Sequence, residues 1–251
     1  LGDTLFDLTG KSVLVTGASS GLGAHFAQLF AQRGANVTLA ARSCERLAEV
    51  CEPLAREGAQ VQAVTMDVTD QASIEALFEQ RCFDVVVNNA GISVPGRAMD
   101  YGISDWERTI ATNLQGSFMV AQAAARALAR EKKGGSIVNI ASILGLRVAG
   151  QVSAYATSKA AVVQMSKSLA LEWARFGIRV NVLCPGYFET ALNKEFFATE
   201  AGLALIQRIP QRRLGQPEEL DGAMLLLASD AGRFMTGTEI VVDGGHLVSG
   251  L

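Results

Sequence analysis

Histidine, cysteine and proline are scarce in this chain of 251 residues, with two, four and five copies. The cysteines stand at 44, 51, 82 and 184, none in a CxxC pair, and His25 and His246 lie far apart. No zinc-ligand spacing results, so no metal is expected. Unpaired thiols fit a reducing compartment, so the expected location is cytoplasmic, with Cys184 in the core of an apolar strand. An excess of positive charge is also missing: the net charge is −3. That argues against a nucleic-acid partner, which calls for a basic face. The short "REKK" stretch (130–133) reads as a solvated helix end. No apolar run approaches the ~18 residues of a membrane helix, so no membrane partner is expected. The start "LGDTLFDLTGKS" has no basic segment ahead of an apolar one, so it is not a secretory signal. A leucine in first place suggests a processed or trimmed start.

Apolar residues, at 49%, supply ample material for a core. Short β-branched runs alternate with longer helical patterns. Strands are expected at 11–17, 35–42, 59–68, 83–91, 135–142, 177–186 and 237–245. Helices are expected at 22–34, 44–58 (with Pro53 a candidate kink), 70–80 behind Asp70, 104–130 behind Ser104, 152–176 and 216–230. Seven strands separated by helices call for a parallel sheet covered on both faces. No linker interrupts the alternation. The expectation is therefore an α/β fold: one Rossmann-like, doubly wound domain over 1–251 with a seven-stranded parallel sheet. Residues 187–215 carry no strand pattern and read as a substrate lid, a loop with one or two short helices.

"TGASSGLG" (16–23) joins the first strand to the first helix. Gly17, Gly21 and Gly23 let the backbone turn tightly and let a pyrophosphate approach the helix N-terminus, where free N–H groups favour anions. No Lys-Ser/Thr follows the last glycine, so this is not a P-loop. Ser19 and Ser20 add hydroxyl donors. Strand two ends "LAAR", with Ala41 where an acid would hold a ribose 2′-hydroxyl and Arg42 beside it. A guanidinium can hold a 2′-phosphate through paired hydrogen bonds. NADP(H) is therefore favoured over NAD(H), against the plainer reading of Arg42 as a solvated strand end.

"SAYATSKAA" (153–161) sets Tyr155 and Lys159 four apart, on one face of a helix, among small neighbours that leave room for a ligand. A phenol has a pKa of roughly 10, and a nearby ammonium lowers it, which makes a tunable acid/base. Ser142, at the end of strand five, is placed to bond the same substrate oxygen. Alone, such a pair is more often a packed ring beside a solvated charge.

Taken together the motifs resemble the short-chain dehydrogenase/reductase family of the compact type, from "KSVLVTGASSGLG" to "VVDGG". "TGASSGLG" is similar to the family's TGxxxGxG turn, "NNAG" (88–91) to its strand-four motif, and Asn113, Ser142, Tyr155 and Lys159 to its Asn-Ser-Tyr-Lys pattern. The resemblance implies an enzyme in which Tyr155 exchanges a proton with a carbonyl or alcohol oxygen as hydride is transferred. Ser142 orients that oxygen. Lys159 holds the nicotinamide ribose and lowers the tyrosine pKa, and Asn113 anchors a water that leads from Lys159 to solvent. Leu22 belongs to the cofactor turn, and Asp67 and Val68 flank the adenine. Asn88, Asn89, Ala90 and Gly91 line the cleft. Pro185, Gly186 and Thr190 lie beside the nicotinamide.

The substrate is expected to be a small ketone or secondary alcohol with an apolar body, held by 92–99, 143–150 and the lid, with Arg97, Arg147 and Gln151 as polar contacts. "GQVSAYATSKAA" and "PGYFETAL" resemble the 3-oxoacyl-thioester reductases, while a sugar or polyol dehydrogenase is an equal alternative. An acyl-carrier partner would want a basic patch, for which Arg208, Arg212 and Arg213 are candidates. A nucleotide-binding regulator without turnover and a nucleotide-sugar epimerase are further alternatives. The first has no need of the full Ser-Tyr-Lys set, and the second has a different glycine spacing. Family members commonly assemble as tetramers, so a homotetramer or dimer is expected. His25 is expected on the first helix and His246 near a neighbouring subunit, neither with a catalytic role.

Overall fold

The structure, a computed structural model, describes residues 5–190 and 194–249. Seven strands form one wholly parallel sheet in the order β3-β2-β1-β4-β5-β6-β7. They are β1 (Ser12–Thr16), β2 (Asn36–Ala41), β3 (Val61–Thr65), β4 (Val85–Asn88), β5 (Gly135–Ile140), β6 (Ile178–Pro185) and β7 (Glu239–Val242). The central strands are rich in valine, isoleucine and leucine because both faces are covered, which removes the polar alternation of a half-exposed sheet. Successive β1 side chains point to opposite faces. Val13 and Val15 pack with Phe26 and Phe30 of α1 (Gly21–Gln32), Leu47 of α2 (Cys44–Arg56) and Met224 of α9 (Asp221–Ala228). Leu14 packs on the other face with Ile74 of α3 (Gln71–Gln80), Leu128 of α5 (Ser117–Arg130) and Leu169 of α6 (Ser153–Trp173). Phe26 and Phe30 are fully buried, each worth about 1.5–3 kcal/mol relative to exposure.

The expected helix over 104–130 is not continuous. It begins as α4 (Ile103–Ile110) with Gly102, not Ser104, at its N-cap, and widens into a π-helical turn at Ala111–Gly116 before α5. Two tertiary contacts accompany the widening. The Asn113 amide turns out of the helix onto the loop after β4. Gly116 presses so closely on Val68 that a Cβ would lie 2.8 Å from the Val68 carbonyl oxygen. Helix α2 runs on through Pro53, which sits in its last turn. Asp70 caps α3 as expected, its carboxylate accepting from Ala72 N at 3.0 Å. The stretch over 216–230 divides into a 3-10 turn (Pro217–Leu220) and α9. Between β6 and that turn lie α7 (Lys194–Phe197) and α8 (Glu200–Ile206), pinned by a small cluster of Phe197, Ile209 and Leu214.

Strands β1 and β4 lie side by side, with β2 and β3 continuing outward from β1 and β5 to β7 from β4. Their crossovers leave in opposite directions at that seam. A crevice opens there at the carboxyl ends of the strands, the place where open α/β sheets bind ligands.

Candidate active site

The crevice is a cleft of about 680 Å³. Its floor is the turn from β1 to α1. Gly17 has φ +65°, and a Cβ there would lie 2.8 Å from the Ala90 Cα. Gly23 is tighter still: a Cβ would lie 2.3 Å from the Gly17 carbonyl oxygen and 2.4 Å from the Asn89 amide. Asn89 fastens this turn to the exit of β4, its Nδ2 donating to the carbonyls of Thr16 (3.1 Å) and Gly17 (3.3 Å). The missing side chains leave main-chain N–H groups at the start of α1 facing the cleft, a cradle that suits a pyrophosphate. Ser19, Ser20, Gly21 and Leu22 line this end, and Gly23 lies beneath it as a packing residue.

The other expected cofactor residues come to the same cleft from separate strand ends. Arg42 follows β2, Asp67 and Val68 follow β3, Asn89 to Gly91 follow β4, Pro185 ends β6, and Gly186 and Thr190 follow it. The Asp67 carboxylate accepts from Thr69 N at 2.9 Å and from its hydroxyl at 2.8 Å, which shapes the rim. Asn88 does not line the cleft. Strand alternation turns it into the core, where its amide donates to Asn139 Oδ1 (2.8 Å) and to the Ser117 carbonyl (3.1 Å). Arg46, one turn into α2, also lines the cleft beside Arg42. It escaped the sequence reading, although "ARSCER" holds the signal: two cations four apart on either side of a helix start. Ile92 and Ser93, from the 92–99 stretch expected as substrate wall, also line the cleft.

Ser142, Tyr155 and Lys159 meet on the opposite wall. Ser142, two residues beyond β5, is in extended backbone and caps a 3-10 turn (Ile143–Gly145), its Oγ accepting from Leu144 N at 3.1 Å. The same side chain faces the Tyr155 hydroxyl and favours its ionised form. Tyr155 and Lys159 stand one turn apart on α6. Gly145 lets the 3-10 turn lie against that helix, since a Cβ would be 2.8 Å from the Lys159 main chain. Lys159 is 4% exposed, and its ammonium donates to the Ile140 carbonyl at 2.7 Å.

The electrostatics differ from the sequence expectation. Burial raises the Tyr155 pKa above its ordinary value, with Ser142 opposing. Burial brings Lys159 down to about 8. The ammonium therefore does not lower the phenol here. It is directed at the Ile140 carbonyl and lies 5.7 Å from the centre of the tyrosine ring. Both groups are pushed toward their neutral forms because each is taken out of water.

Asn113 is wholly buried, behind the cleft wall. Its Oδ1 accepts from Ile92 N (2.8 Å), and its Nδ2 donates to the Ile92 carbonyl (2.9 Å) and to Ser158 Oγ (3.0 Å). Both amide protons are thus engaged in holding the loop after β4 against α6.

On the substrate side the three expected polar contacts separate. Arg97 is exposed and pairs with Asp100 at 3.5 Å. The Gln151 side chain is exposed, while its carbonyl accepts from Gly96 N at 2.8 Å. Arg147 reaches the chain's last turn, donating to the His246 carbonyl and to Ser249 Oγ at 3.2 Å. Of the proposed basic patch, Arg213 is bound through two nitrogens to Glu219, at 2.6 and 2.7 Å. His25 bonds Asp221 at 2.7 Å, tying α1 to α9. Cys184 is buried and its thiol is pushed up to about 12, an inert core group. Among the described residues no helix is long and apolar enough to cross a membrane, and no side-chain cluster suits a metal.

A family model described as enoyl-(acyl carrier protein) reductase matches residues 17–246. The chain is 39% identical to 3beta-hydroxysteroid dehydrogenase 1 of Eggerthella lenta, over 95% of this chain and 94% of that one. A short-chain type dehydrogenase/reductase from Mycobacterium marinum superposes with a TM-score of 0.91 at 41% identity, covering 97% and 98% of the two chains. A gluconate 5-dehydrogenase from Burkholderia cenocepacia, in complex with NADP and tartrate, superposes with a TM-score of 0.93 at 35% identity, covering 98% of each. With the glycine turn, the Ser-Tyr-Lys wall and the parallel sheet that joins them, the chain belongs to the short-chain dehydrogenase/reductase family of NAD(P)-dependent oxidoreductases.

Proposed function

We propose that this protein transfers hydride between NADP(H) and a ketone or secondary alcohol, with Tyr155 as the acid/base. One observation carries the reading: Ser142, Tyr155 and Lys159 share a wall of the cleft whose floor is the glycine turn. When bound, the dinucleotide supplies or accepts the hydride. The residues do the rest. Tyr155 gives its proton to the substrate oxygen in reduction and takes it back in oxidation. Ser142 donates to the same oxygen, so charge developing there meets a donor already in place. Lys159 supplies a fixed positive charge at the base of the cleft and a hydrogen bond for a ribose hydroxyl. Asn113 positions the Ile92 loop, and a water held near it completes a proton route from Lys159.

Arg42 and Arg46 flank the cleft at the end of β2, next to Ala41 rather than an acid. Two guanidiniums favour a 2′-phosphate, and the NADP carried by the Burkholderia enzyme agrees. The described parts of the 187–215 segment serve as the lid of the single domain; its residues 191–193 lie outside the described residues. The protein acts as a cytoplasmic homotetramer or dimer. NADPH and NADH oxidation, followed by absorbance against ketones, 3-oxoacyl thioesters and keto-sugar acids, tests cofactor and substrate class together. Tyr155→Phe should abolish turnover and leave NADPH binding intact. Full activity in that variant would overturn the assignment.

A further inference from the structure

A line of small side chains runs down the buried face of α6. Ala154, Ser158, Val162, Ser166 and Ala170 recur every four residues, all of them enclosed. Apolar burial is non-directional. Such a face fixes how closely the helix lies, and not where it stops along its own axis. Directional bonds must set that position, and Tyr155 and Lys159 are carried with it.

Those bonds are buried, and they close a ring. Ser158 and Ser166 each donate to a carbonyl of their own helix, Tyr155 and Val162 respectively, both at 2.7 Å. Each hydroxyl oxygen is left to accept from outside, Ser158 from Asn113 Nδ2 at 3.0 Å and Ser166 from Asn139 Nδ2 at 2.7 Å. Asn139 lies on β5, and its Oδ1 accepts from Asn88 of β4 at 2.8 Å. Asn88 also donates to the Ser117 carbonyl, and Ser117 Oγ donates to the Asn113 carbonyl at 2.8 Å. The circuit returns to its start after crossing β4, β5, the π-helical turn, α5 and α6. Its six side chains are at most 7% exposed. Within it, only Asn88 Oδ1 has no partner among the described residues. The ring adjoins the catalytic wall: Lys159 follows Ser158, and its ammonium bonds the carbonyl of Ile140, the residue after Asn139. Two neighbouring residues of β5 thus hold α6 at two heights, at Lys159 and about 10 Å further along the axis at Ser166.

We propose that Asn139 and Ser166 are positioning residues for the proton transfer. With Asn88 and Ser117 they set the axial stop of α6, and so the place of the Tyr155 hydroxyl against Ser142 and of the Lys159 ammonium against Ile140. This rests on the oxidoreductase reading above and deepens it. Neither residue lines the cleft, so both act through the helix they hold. Displacing a reacting group by about 1 Å costs up to about a hundredfold in rate. A helix resting on small side chains alone has the freedom for such a slip.

The test asks whether rate is lost while stability is kept. Asn88→Leu, Asn139→Leu and Ser166→Ala combined remove the links between strands and helix together and leave none of these amides unpaired, so the melting temperature should stay close to that of the wild type. In NADPH-dependent reduction of cyclohexanone and of ethyl acetoacetate, kcat should fall about tenfold or more. KM and the NADPH Kd, read by fluorescence titration, should change less than about threefold. Ser168→Ala removes a similar bond from the exposed face of α6 and should alter none of these quantities. If the triple variant does not fold, Ser166→Ala alone opens the ring at one bond, and its kcat should fall about threefold or more well below its melting temperature. A folded variant with wild-type kcat overturns the proposal and leaves the ring a structural brace. A loss spread equally over kcat, NADPH affinity and stability overturns it too. Both results leave the oxidoreductase reading intact. A wild type that binds NADPH and turns over neither ketone, nor any of the carbonyl classes named above, overturns both.

Discussion

Lys159 carries the clearest residue-scale consequence. Burial holds its ammonium at about 8, below the ordinary 10.5. Between those values the unfolded chain retains a proton that the folded chain has released, so stability rises with pH across that window. Below about 8 both states are charged and the folded state bears the full penalty, on the order of a few kcal/mol. Melting temperatures of the wild type and Lys159→Met, measured in the absence of cofactor, should therefore converge from pH 7.5 to pH 10. A constant gap would mean the ammonium is not desolvated. Arg42 and Arg46 yield a second expectation at this scale. Changing both to Ala should raise the KM for NADPH about tenfold or more while leaving NADH nearly unaffected, since the role proposed for each guanidinium is to bond the 2′-phosphate. Steady-state kinetics with the two cofactors decides it. Arg42 was visible in the chain because strand two ends on it. Arg46 was missed, because its spacing from Arg42 carries meaning only once α2 is seen to start between them and bring its side chain back to the strand end.

At the scale of elements, the β1–α1 turn and the β4 exit are interlocked through Gly23, the Gly17 carbonyl and Asn89. A methyl group has no room there. Gly23→Ala should lower stability by about 1–3 kcal/mol and weaken cofactor binding in the same variant. Thermal melts and NADPH titration read the two effects. The need for glycine at 17, 21 and 23 was legible from spacing, since only a turn meeting a helix start repeats the residue in that way. The π-helical turn at Ala111–Gly116 was not. Its cause is tertiary, an amide drawn out to Ile92 and a glycine pressed on Val68, and no local pattern announces either. The same limit explains Asn88 and Asn89. The motif is plain in the sequence, but which of two adjacent amides faces the cleft depends on strand phase.

For the whole molecule, alternating β-branched and helical runs were enough to indicate a parallel sheet covered on both faces. The order β3-β2-β1-β4-β5-β6-β7 was not implied by the alternation itself, since the reversal at β1 is a matter of which crossover goes which way. Several large apolar side chains remain outside the core. Phe234 is fully exposed, and Leu171 of α6, Phe176 and Val248 are open to solvent. Scattered apolar exposure is ordinary, yet Phe234 in full view next to the edge strand β7 agrees with burial between copies. Sedimentation velocity should show a tetramer or dimer, and Phe234→Ser should shift that distribution toward smaller species. A monomer in the wild type would remove the assembly from this account.

The seam between β1 and β4 pairs residues more than seventy positions apart, Val13 with Val85 and Val15 with Val87. Parallel strands cannot be joined by a tight turn, so this pairing forms only after the chain has closed a long loop. The groove that holds the dinucleotide is therefore a late product of assembly, completed when the two halves of the sheet join. A ligand that recognises only the finished groove has nothing to grasp on the way in: it holds the door shut against unfolding, and leaves the pace of folding to the chain itself.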